Sequence, residues 1–346
     1  MVERNYGIDL LRLVLMYFIC LLHVFVQGGV IAACEPGCCR AVMLALQTIS
    51  YSALDAFMLI SGYVAPDRPQ EHWKITARWL QVFFYSFVLT LVLACFGLCE
   101  KFEVIPMIKL AFPVTFRVYW YFSAYFLLFF ATPLLNRFIF QTTTEQAKRT
   151  LVITVCLLSG VYLLNEPFQT QGGYSAIWLI ALYLIGALMK RVQLFERAKT
   201  WVLLLVLGAD YALIWASKVI FDKDRLLNHL SPNVLLSAML VLVLFARLRP
   251  NKKVVAALSP LAFGVYLFHL NPVIWAQLEN ACTVLAVQPV LLAVGGVLAA
   301  ALAIFVCGML AEWVRRLVFR LLRADAAARW LTDRIRSGLC RVCRWI

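Results

Sequence analysis

The sequence predicts an all-α polytopic membrane protein, a bundle of about 10 transmembrane helices whose N- and C-termini both lie in the cytoplasm. Three observations predict this fold class. The 346 residues are 63% hydrophobic and 14% charged, whereas a soluble domain is roughly half apolar. The apolar residues form repeated blocks of about 18 residues or more, the length that crosses a bilayer. The Lys and Arg residues collect in alternate loops.

Ten apolar segments can be drawn as spans: residues 6–26, 42–64, 79–97, 118–136, 150–164, 176–189, 200–217, 232–247, 258–279 and 289–312. The segments that this count places on the side of the termini hold 24 of the 32 Lys and Arg residues. Positively charged loops stay in the cytoplasm, so the distribution sets the orientation. It also explains the net charge of +14 without a nucleic-acid partner.

The first span could alternatively be a signal peptide, because residues 31–34 read IAAC and resemble a lipoprotein cleavage site. A signal peptide contains a short, uninterrupted apolar run. Here Asp9, Arg12 and His23 interrupt the run. We therefore expect an uncleaved first helix that begins a membrane domain covering residues 1–312.

Residues 313–346 differ in kind, because nine arginines alternate with apolar side chains. This pattern predicts a basic amphipathic helix on the anionic inner surface of the membrane, with RNA binding as the less favoured alternative. The segment also contains a single C-x-x-C pair, Cys340 and Cys343. A structural zinc site needs four ligands, so we interpret the pair as ordinary thiols and expect no metal.

Other cysteines lie in or near the loops that we place outside the cytoplasm: Cys34, Cys38, Cys39, Cys99 and Cys282. Thiols in an oxidising compartment tend to pair. We therefore expect a disulfide that ties these loops together, while its connectivity stays open.

Ionisable side chains inside a span are rare and usually functional, so they indicate where chemistry can occur. At about 100° per residue, Asp9, Arg12 and His23 lie on one stripe of the first helix. Asp9 and Arg12 are three residues apart and can form an ion pair. His23 lies about 16 Å further along the axis. Singly, each could be a snorkelling or internally paired side chain, but together they mark the leading candidate site.

The second and fourth spans add four candidates. Asp55 is another acid inside a span, and Ser61 precedes a glycine that permits close approach of helices. Trp120 and Tyr121 begin the fourth span, where they are either an interfacial belt or part of a pocket.

In the ninth span, Tyr266 and His269 are three residues apart and share a helix face, and Pro272 should kink the helix. His23 and His269 could in principle bind a metal, but no clear carboxylate partner accompanies them. The chain contains no G-x-S-x-G, P-loop or H-E-x-x-H motif, which argues against the corresponding classes of soluble enzyme.

Over nearly its full length the chain resembles the integral-membrane acyltransferase 3 family, whose members acylate cell-envelope glycans. The elements that carry the resemblance are Arg4, Asp9, Arg12 and His23 in the spacing R-x4-D-x2-R-x10-H, FMLISGY at residues 57–63, Trp120-Tyr121 with Pro133, Tyr183-x-x-Gly186, and Gly264-x-Tyr266-x-x-His269. One element departs from the pattern. Many members carry R-x-x-R before the third span, where this chain offers Lys74 and Arg78.

The resemblance implies a multi-pass enzyme of the bacterial plasma membrane. It would transfer an acyl group, expected to be acetyl, from cytoplasmic acyl-CoA to a hydroxyl of an extracytoplasmic glycan or glycolipid, with an amine acceptor as an open alternative. His23 would act as general base or carry the acyl group, Arg12 would position the thioester, and Asp9 would hold Arg12. The other candidates would line the donor or acceptor pocket: Asp55, Ser61, Lys74, Arg78, Trp120, Tyr121, Tyr266 and His269.

Two functions of other classes also fit the composition. A transporter or flippase for a lipid or sugar would also need buried charges, but transporters often contain an internal repeat, and the two halves of this chain show no convincing similarity. A sensor or scaffold would leave the charged stripe of the first span without a purpose. We therefore favour the acyltransferase.

Overall fold

A computed structural model describes residues 4–64, 71–98 and 104–342, and over these residues the protein is helical without strands. Its α-helices are α1 (Tyr6–Val26), α2 (Val30–Ala33), α3 (Cys38–Tyr51), α4 (Ala53–Tyr63), α5 (Trp73–Phe83), α6 (Leu89–Cys95), α7 (Val104–Ala111), α8 (Trp120–Gln141), α9 (Thr144–Val155), α10 (Ala176–Val192), α11 (Thr200–Phe221), α12 (Pro232–Ala246), α13 (Lys252–Leu258), α14 (Ala262–His269), α15 (Pro272–Leu278), α16 (Val290–Leu321) and α17 (Ala324–Val342). Short π-helices (Phe84–Val88, Cys156–Gly160) and 3₁₀ turns (Val161–Leu163, Gln171–Gly173, Ser259–Leu261, Thr283–Val287) join some of them.

All ten predicted spans fall on helical segments, but these segments differ in length. Six stretches are long and apolar enough to cross a membrane: Tyr6–Ala33, Cys38–Tyr63, Trp73–Cys95, Trp120–Gln141, Thr200–Phe221 and Val290–Leu321. The bent pair Lys252–His269 and Pro272–Val287 makes a seventh if it is one span. The segments around α9, α10 and α12 are shorter or interrupted. The count of ten and the cytoplasmic termini therefore stay predictions.

Helix α1 connects two hydrophobic cores. Its N-terminal half buries Leu11 and Leu15 in a core with α4, α10 and α12. Its C-terminal half buries Leu21 and Phe25 in a second core with α14, α16 and the start of α8. The Asn5 side chain accepts hydrogen bonds from the first backbone N–H groups and caps the helix. The charged stripe of α1 is therefore held between two packed groups of helices.

Helices α4 and α10 pack with their backbones in close approach. A Cβ atom at Gly62 would collide with the backbone of Tyr183, and one at Gly186 would collide with the backbone of Leu59. Small residues allow such contact between apolar helices. The S-G-Y and Y-x-x-G elements therefore form a helix-packing contact.

The kink predicted at Pro272 is present. The segment Lys252–His269 and the segment that begins at Pro272 meet at 75°. Asn271 lies at the bend, where its side chain accepts from the Val273 N–H and donates to the carbonyl of Tyr85 at 2.8 Å. Tyr85 belongs to the π-helix Phe84–Val88, so an interruption in one helix is joined to a bend in another.

The predicted amphipathic tail helix forms as α17 and packs against α5. The Arg329 guanidinium lies 3.9 Å from the centroid of the Trp73 ring, and the hydroxyls of Thr332 and Thr76 are 2.8 Å apart. Helix α16 continues through residue 312 to Leu321, so the first part of the predicted tail belongs to a long membrane helix. Contact of α17 with the membrane surface stays a prediction.

The expected loop disulfide does not form among the cysteines that the structure describes. Cys34, Cys38, Cys39 and Cys282 are free thiols, while Cys99 lies outside the described residues. Cys34 is buried and packs in the second core, where its thiol donates a hydrogen bond to the carbonyl of Ala286. Cys343 of the C-x-x-C pair lies outside the described residues, which end at residue 342, so the interpretation of this pair stays a prediction.

Candidate functional site

Asp9 holds two arginines at the N-terminal end of α1. Its carboxylate accepts a hydrogen bond from Arg4 Nε and another from Arg12 Nη1, each at 2.5 Å. Asp9 itself is buried, while the side chain of Arg12 is partly exposed. The ion pair expected from the spacing of three residues is therefore present, and Arg4 is a second partner that the spacing alone did not identify.

A cavity of about 360 Å³ lies beside this ion-pair cluster. Its charged lining consists of three arginines and one aspartate, a net charge of +2. Five of the residues predicted as site residues line it, together with aromatic side chains from three helices, α4, α8 and α14. The lining residues are Arg4, Asp9, Arg12, Phe57, Ser61, Arg78, Tyr121, Phe122, Tyr125, Ser259, Pro260, Ala262 and Phe263.

Arg78 and Lys74, the two cations of α5 that stand near the missing R-x-x-R element, have different surroundings. Arg78 lines the cavity, donates from Nη1 to Gln81 Oε1 at 2.9 Å, and lies 5.6 Å from the centroid of the Phe263 ring. No carboxylate of residues 4–64, 71–98 or 104–338 forms an ion pair with it. Lys74 instead pairs with Glu71 at the exposed surface and does not line the cavity. The structure therefore brings Arg78, but not Lys74, to the site.

His23 and His269 meet near the opposite end of α1. His23 Nδ1 lies 2.8 Å from His269 Nε2, and His269 Nδ1 lies 2.6 Å from the carbonyl oxygen of Val265. A carbonyl oxygen only accepts, so the neutral His269 ring carries its proton on Nδ1 and accepts at Nε2. His23 must then donate from Nδ1. This arrangement leaves Nε2 of His23 as an unprotonated acceptor.

The environment of the two imidazoles differs. His269 is buried, whereas His23 is partly exposed and lies edge-on to Trp275 with ring centroids 4.8 Å apart. Nε2 of His23 has no hydrogen-bond partner within the described part of the chain. The side chain that can accept a proton is therefore the one that a substrate can reach.

Tyr266 lies between the cavity and the histidine pair. Its ring centroid is 5.9 Å from that of Tyr121, which lines the cavity, and 6.5 Å from that of His269. Its hydroxyl is buried and makes no hydrogen bond to any described residue. Arg12 and His23 lie about 16 Å apart along α1, and aromatic contacts connect the arginine-lined cavity to the imidazoles across this distance.

Asp55 belongs to a separate polar cluster. Trp178 Nε1 donates to its Oδ1 at 3.1 Å, and His229 Nδ1 lies 3.7 Å from the same oxygen. Burial lowers the pKa of His229 to about 4, so its imidazole is neutral at pH 7. Trp120 also lies on this side, with its ring centroid 5.0 Å from that of Tyr174, and it does not line the cavity.

Several residues of these sites were not selected from the sequence. Arg4 could have been selected, because it shares the regular spacing of Asp9 and Arg12. Ser259 and Phe263 reach the cavity because a 3₁₀ turn interrupts the ninth predicted span. His229 and Trp178 gave no local signal, since their contact with Asp55 depends on residues more than 120 positions apart.

Comparison with known proteins gives one similarity, and it covers nearly all of the residues of these sites. A protein-family model described as an acyltransferase domain matches residues 5–312. No curated protein and no solved structure matches the chain. The matched range contains the histidine pair, the Asp55 cluster and every residue of the ion-pair cluster and the cavity except Arg4.

Proposed function

The chain belongs to the acyltransferase 3 family, and on that premise we propose that it moves an acyl group from acyl-CoA to a hydroxyl of an extracytoplasmic glycan or glycolipid. The family and the apolar helices support a multi-pass membrane acyltransferase. The proposal adds the donor, acetyl as the acyl group, the acceptor class and a location in a bacterial plasma membrane.

The hydrogen-bond chain from Val265 through His269 to His23 carries the proposal, because it supports a general base at His23 Nε2. A hydroxyl is a poor nucleophile until a base takes its proton. His23 Nε2 accepts that proton as the hydroxyl oxygen attacks the thioester carbonyl. The C–S bond then breaks, the ester forms, and the imidazolium returns the proton to the departing sulfur, which leaves as the CoA thiol.

His269 acts as a positioning residue in this scheme. Its Nε2 accepts a hydrogen bond from Nδ1 of His23. This bond holds the His23 ring and selects the tautomer in which Nε2 of His23 is free. When His23 becomes protonated during the reaction, its Nδ1–H still donates to His269, and the charge stays hydrogen-bonded. This follows the general arrangement in which a base is oriented by a further group.

The arginine-lined cavity fits the anionic donor. Its net charge of +2 attracts a phosphate-bearing ligand, and guanidinium groups bind phosphate with two parallel hydrogen bonds. At about 360 Å³ the cavity lies at the small end of ligand sites, so it accommodates part of a CoA molecule. The extended pantetheine arm would then pass Tyr266 and carry the thioester toward His23.

The orientation predicted from the Lys and Arg residues would assign the two ends of α1 to different compartments. If the Lys- and Arg-rich loops face the cytoplasm, the cavity opens toward cytoplasmic acyl-CoA and the histidine pair lies toward the external acceptor. Asp9 would keep Arg12 in the cavity wall by its ion pair. This division of labour explains why one helix carries both an ion pair and a distant imidazole.

The test uses purified protein in liposomes, with labelled acetyl-CoA and candidate glycans. We expect His23→Ala and Arg12→Ala to lose most transfer, while His72→Ala, an exposed histidine, keeps it. Transfer by His23→Ala at the wild-type rate would overturn the assignment. Movement of a lipid or sugar without acyl-CoA would indicate a transporter instead.

A further inference from the structure

Two buried polar atoms of one cluster lack hydrogen-bond partners. Among the described residues, the buried side-chain atoms without a partner are Asp55 Oδ2, His229 Nδ1 and the Tyr266 hydroxyl. Asp55 is 0% exposed and His229 is 3% exposed. Buried polar groups in folded proteins are usually satisfied, so two unsatisfied atoms in one cluster require an explanation.

Asp210 shows how this fold satisfies a buried acid that serves packing. Its Oδ1 accepts from Asn233 Nδ2 at 2.6 Å, and its Oδ2 accepts from Ser237 Oγ at 2.6 Å. Both oxygens are therefore used by the neighbouring helix α12. Asp55 differs, because Trp178 fixes one oxygen and leaves the other free. Oδ2 of Asp55 is therefore available to accept a hydrogen bond from a ligand.

Aromatic rings surround the cluster. The Tyr51 ring stacks on the imidazole of His229 with centroids 4.6 Å apart, and Tyr174 meets it edge-on at 5.3 Å. The ring centroid of Trp120 lies 5.0 Å from that of Tyr174. Tyr174 is 45% exposed, so the cluster extends from the surface to the buried carboxylate.

We propose that Asp55 and His229, with the rings of Tyr174 and Trp120, form a subsite that binds a sugar ring of the acceptor. A sugar presents hydroxyls, which donate to a carboxylate oxygen and exchange hydrogen bonds with a neutral imidazole. Its apolar C–H faces pack against aromatic rings. The inference rests on the proposed function, because it gives the acceptor of that reaction a binding site.

The subsite is connected to the catalytic end of the molecule by side-chain contacts. From Trp120 the rings continue to Tyr121 at 5.7 Å and then to Tyr266 at 5.9 Å, which in turn contacts His269. A glycan held at Tyr174 and Trp120 therefore lies along the aromatic side chains that lead to the histidine pair. A terminal sugar would be bound here while another hydroxyl of the same glycan reaches His23.

The experiment measures binding and transfer separately with three methyl glycosides, those of glucose, galactose and N-acetylglucosamine. Equilibrium dialysis of each labelled glycoside measures binding without acyl-CoA, and transfer from labelled acetyl-CoA to oligosaccharides that end in the same sugar gives the KM for acceptor and donor. The variants are Asp55→Asn, His229→Gln and Tyr174→Ala, with Asp210→Asn as the matched control for a buried acid. Thermal unfolding in detergent reports whether each variant is folded.

We expect wild type to bind at least one glycoside saturably, and Asp55→Asn and Tyr174→Ala to weaken that binding at least tenfold without changing the donor KM. Asp210→Asn should bind as wild type does. Because Tyr174 is exposed, its variant keeps the test decisive if Asp55→Asn fails to fold.

Absence of saturable binding to wild type, or unchanged binding by folded Asp55→Asn or Tyr174→Ala, would overturn the subsite. Asp55-dependent binding without any acyl transfer would keep the subsite and overturn the proposed reaction. Acyl transfer with an acceptor KM that neither Asp55→Asn nor Tyr174→Ala changes would keep the proposed reaction and overturn the subsite.

Discussion

His23 of α1 and His269 of α14 form a direct imidazole–imidazole hydrogen bond, with Nδ1 and Nε2 2.8 Å apart. The two residues are 246 positions apart in the chain, and the bond joins the first helix to the bend before Pro272. Because Val265 fixes the tautomer of His269, the geometry defines a single free nitrogen, Nε2 of His23. The bond therefore gives the two histidines unequal roles.

Substitution of His269 tests that inequality. His269→Ala should lower kcat roughly 10²-fold, in the range of general-base effects, with little change in either KM. His269→Gln should keep more activity than His269→Ala, because its amide oxygen can still accept from His23 Nδ1–H. Steady-state transfer kinetics measure both values. Equal losses in the alanine and glutamine variants would argue against a positioning role.

Arg78 and Lys74 provide a matched pair for the donor site. Arg78→Gln should raise the KM for acyl-CoA at least tenfold, about 1.4 kcal/mol, because the substitution removes one of the three cations of the cavity wall. Lys74→Gln should leave that KM unchanged, since its exposed ion pair with Glu71 lies outside the cavity. Titration of acyl-CoA at fixed acceptor concentration gives the comparison. A larger effect at Lys74 would place the donor elsewhere.

Gly62 and Gly208 make a matched pair for helix packing. Gly62→Ala should destabilise the protein by about 1–3 kcal/mol, because the added methyl group meets the backbone of Tyr183. Gly208→Ala should be neutral or stabilise by up to about 1 kcal/mol, since open space surrounds that glycine within α11. Thermal unfolding in detergent compares the two. Similar melting temperatures would mean that α4 and α10 can separate without cost.

The parts of the site that depend on one helix could be predicted from the sequence. The Asp9–Arg12 ion pair follows from a spacing of three residues, and the bend at Pro272 follows from the missing N–H and the ring of proline. The contacts of His23 with His269 and of Asp55 with His229 join distant segments, and no local period records them. Lys74 and Arg78 give a further example, because the sequence alone did not show that only Arg78 lines the cavity.

The span count is also limited by what an apolar pattern measures. Apolar content identified the segments around α9, α10 and α12, but it does not report where a helix is interrupted. The fifth predicted span contains the π-helix Cys156–Gly160 and the turn Val161–Leu163, which leave α9 short. Helices α9, α10 and α12 pack in the first core, where α9 and α12 contact α10 and α4 respectively. A helix in such a core can pack against other helices even when it is shorter than the bilayer is thick.

Cysteine labelling tests the orientation on which the donor and acceptor assignments depend. Cys38 is exposed at the start of α3, and Cys340 lies in the C-terminal segment that carries the basic tail. In variants that keep only one of these cysteines, a membrane-impermeant maleimide applied to intact cells should label Cys38 and not Cys340. Permeabilised cells should label both. The opposite pattern would put the arginine-lined cavity on the external side, where cytoplasmic acyl-CoA could not reach it, and would exchange the substrates proposed for the two ends of α1.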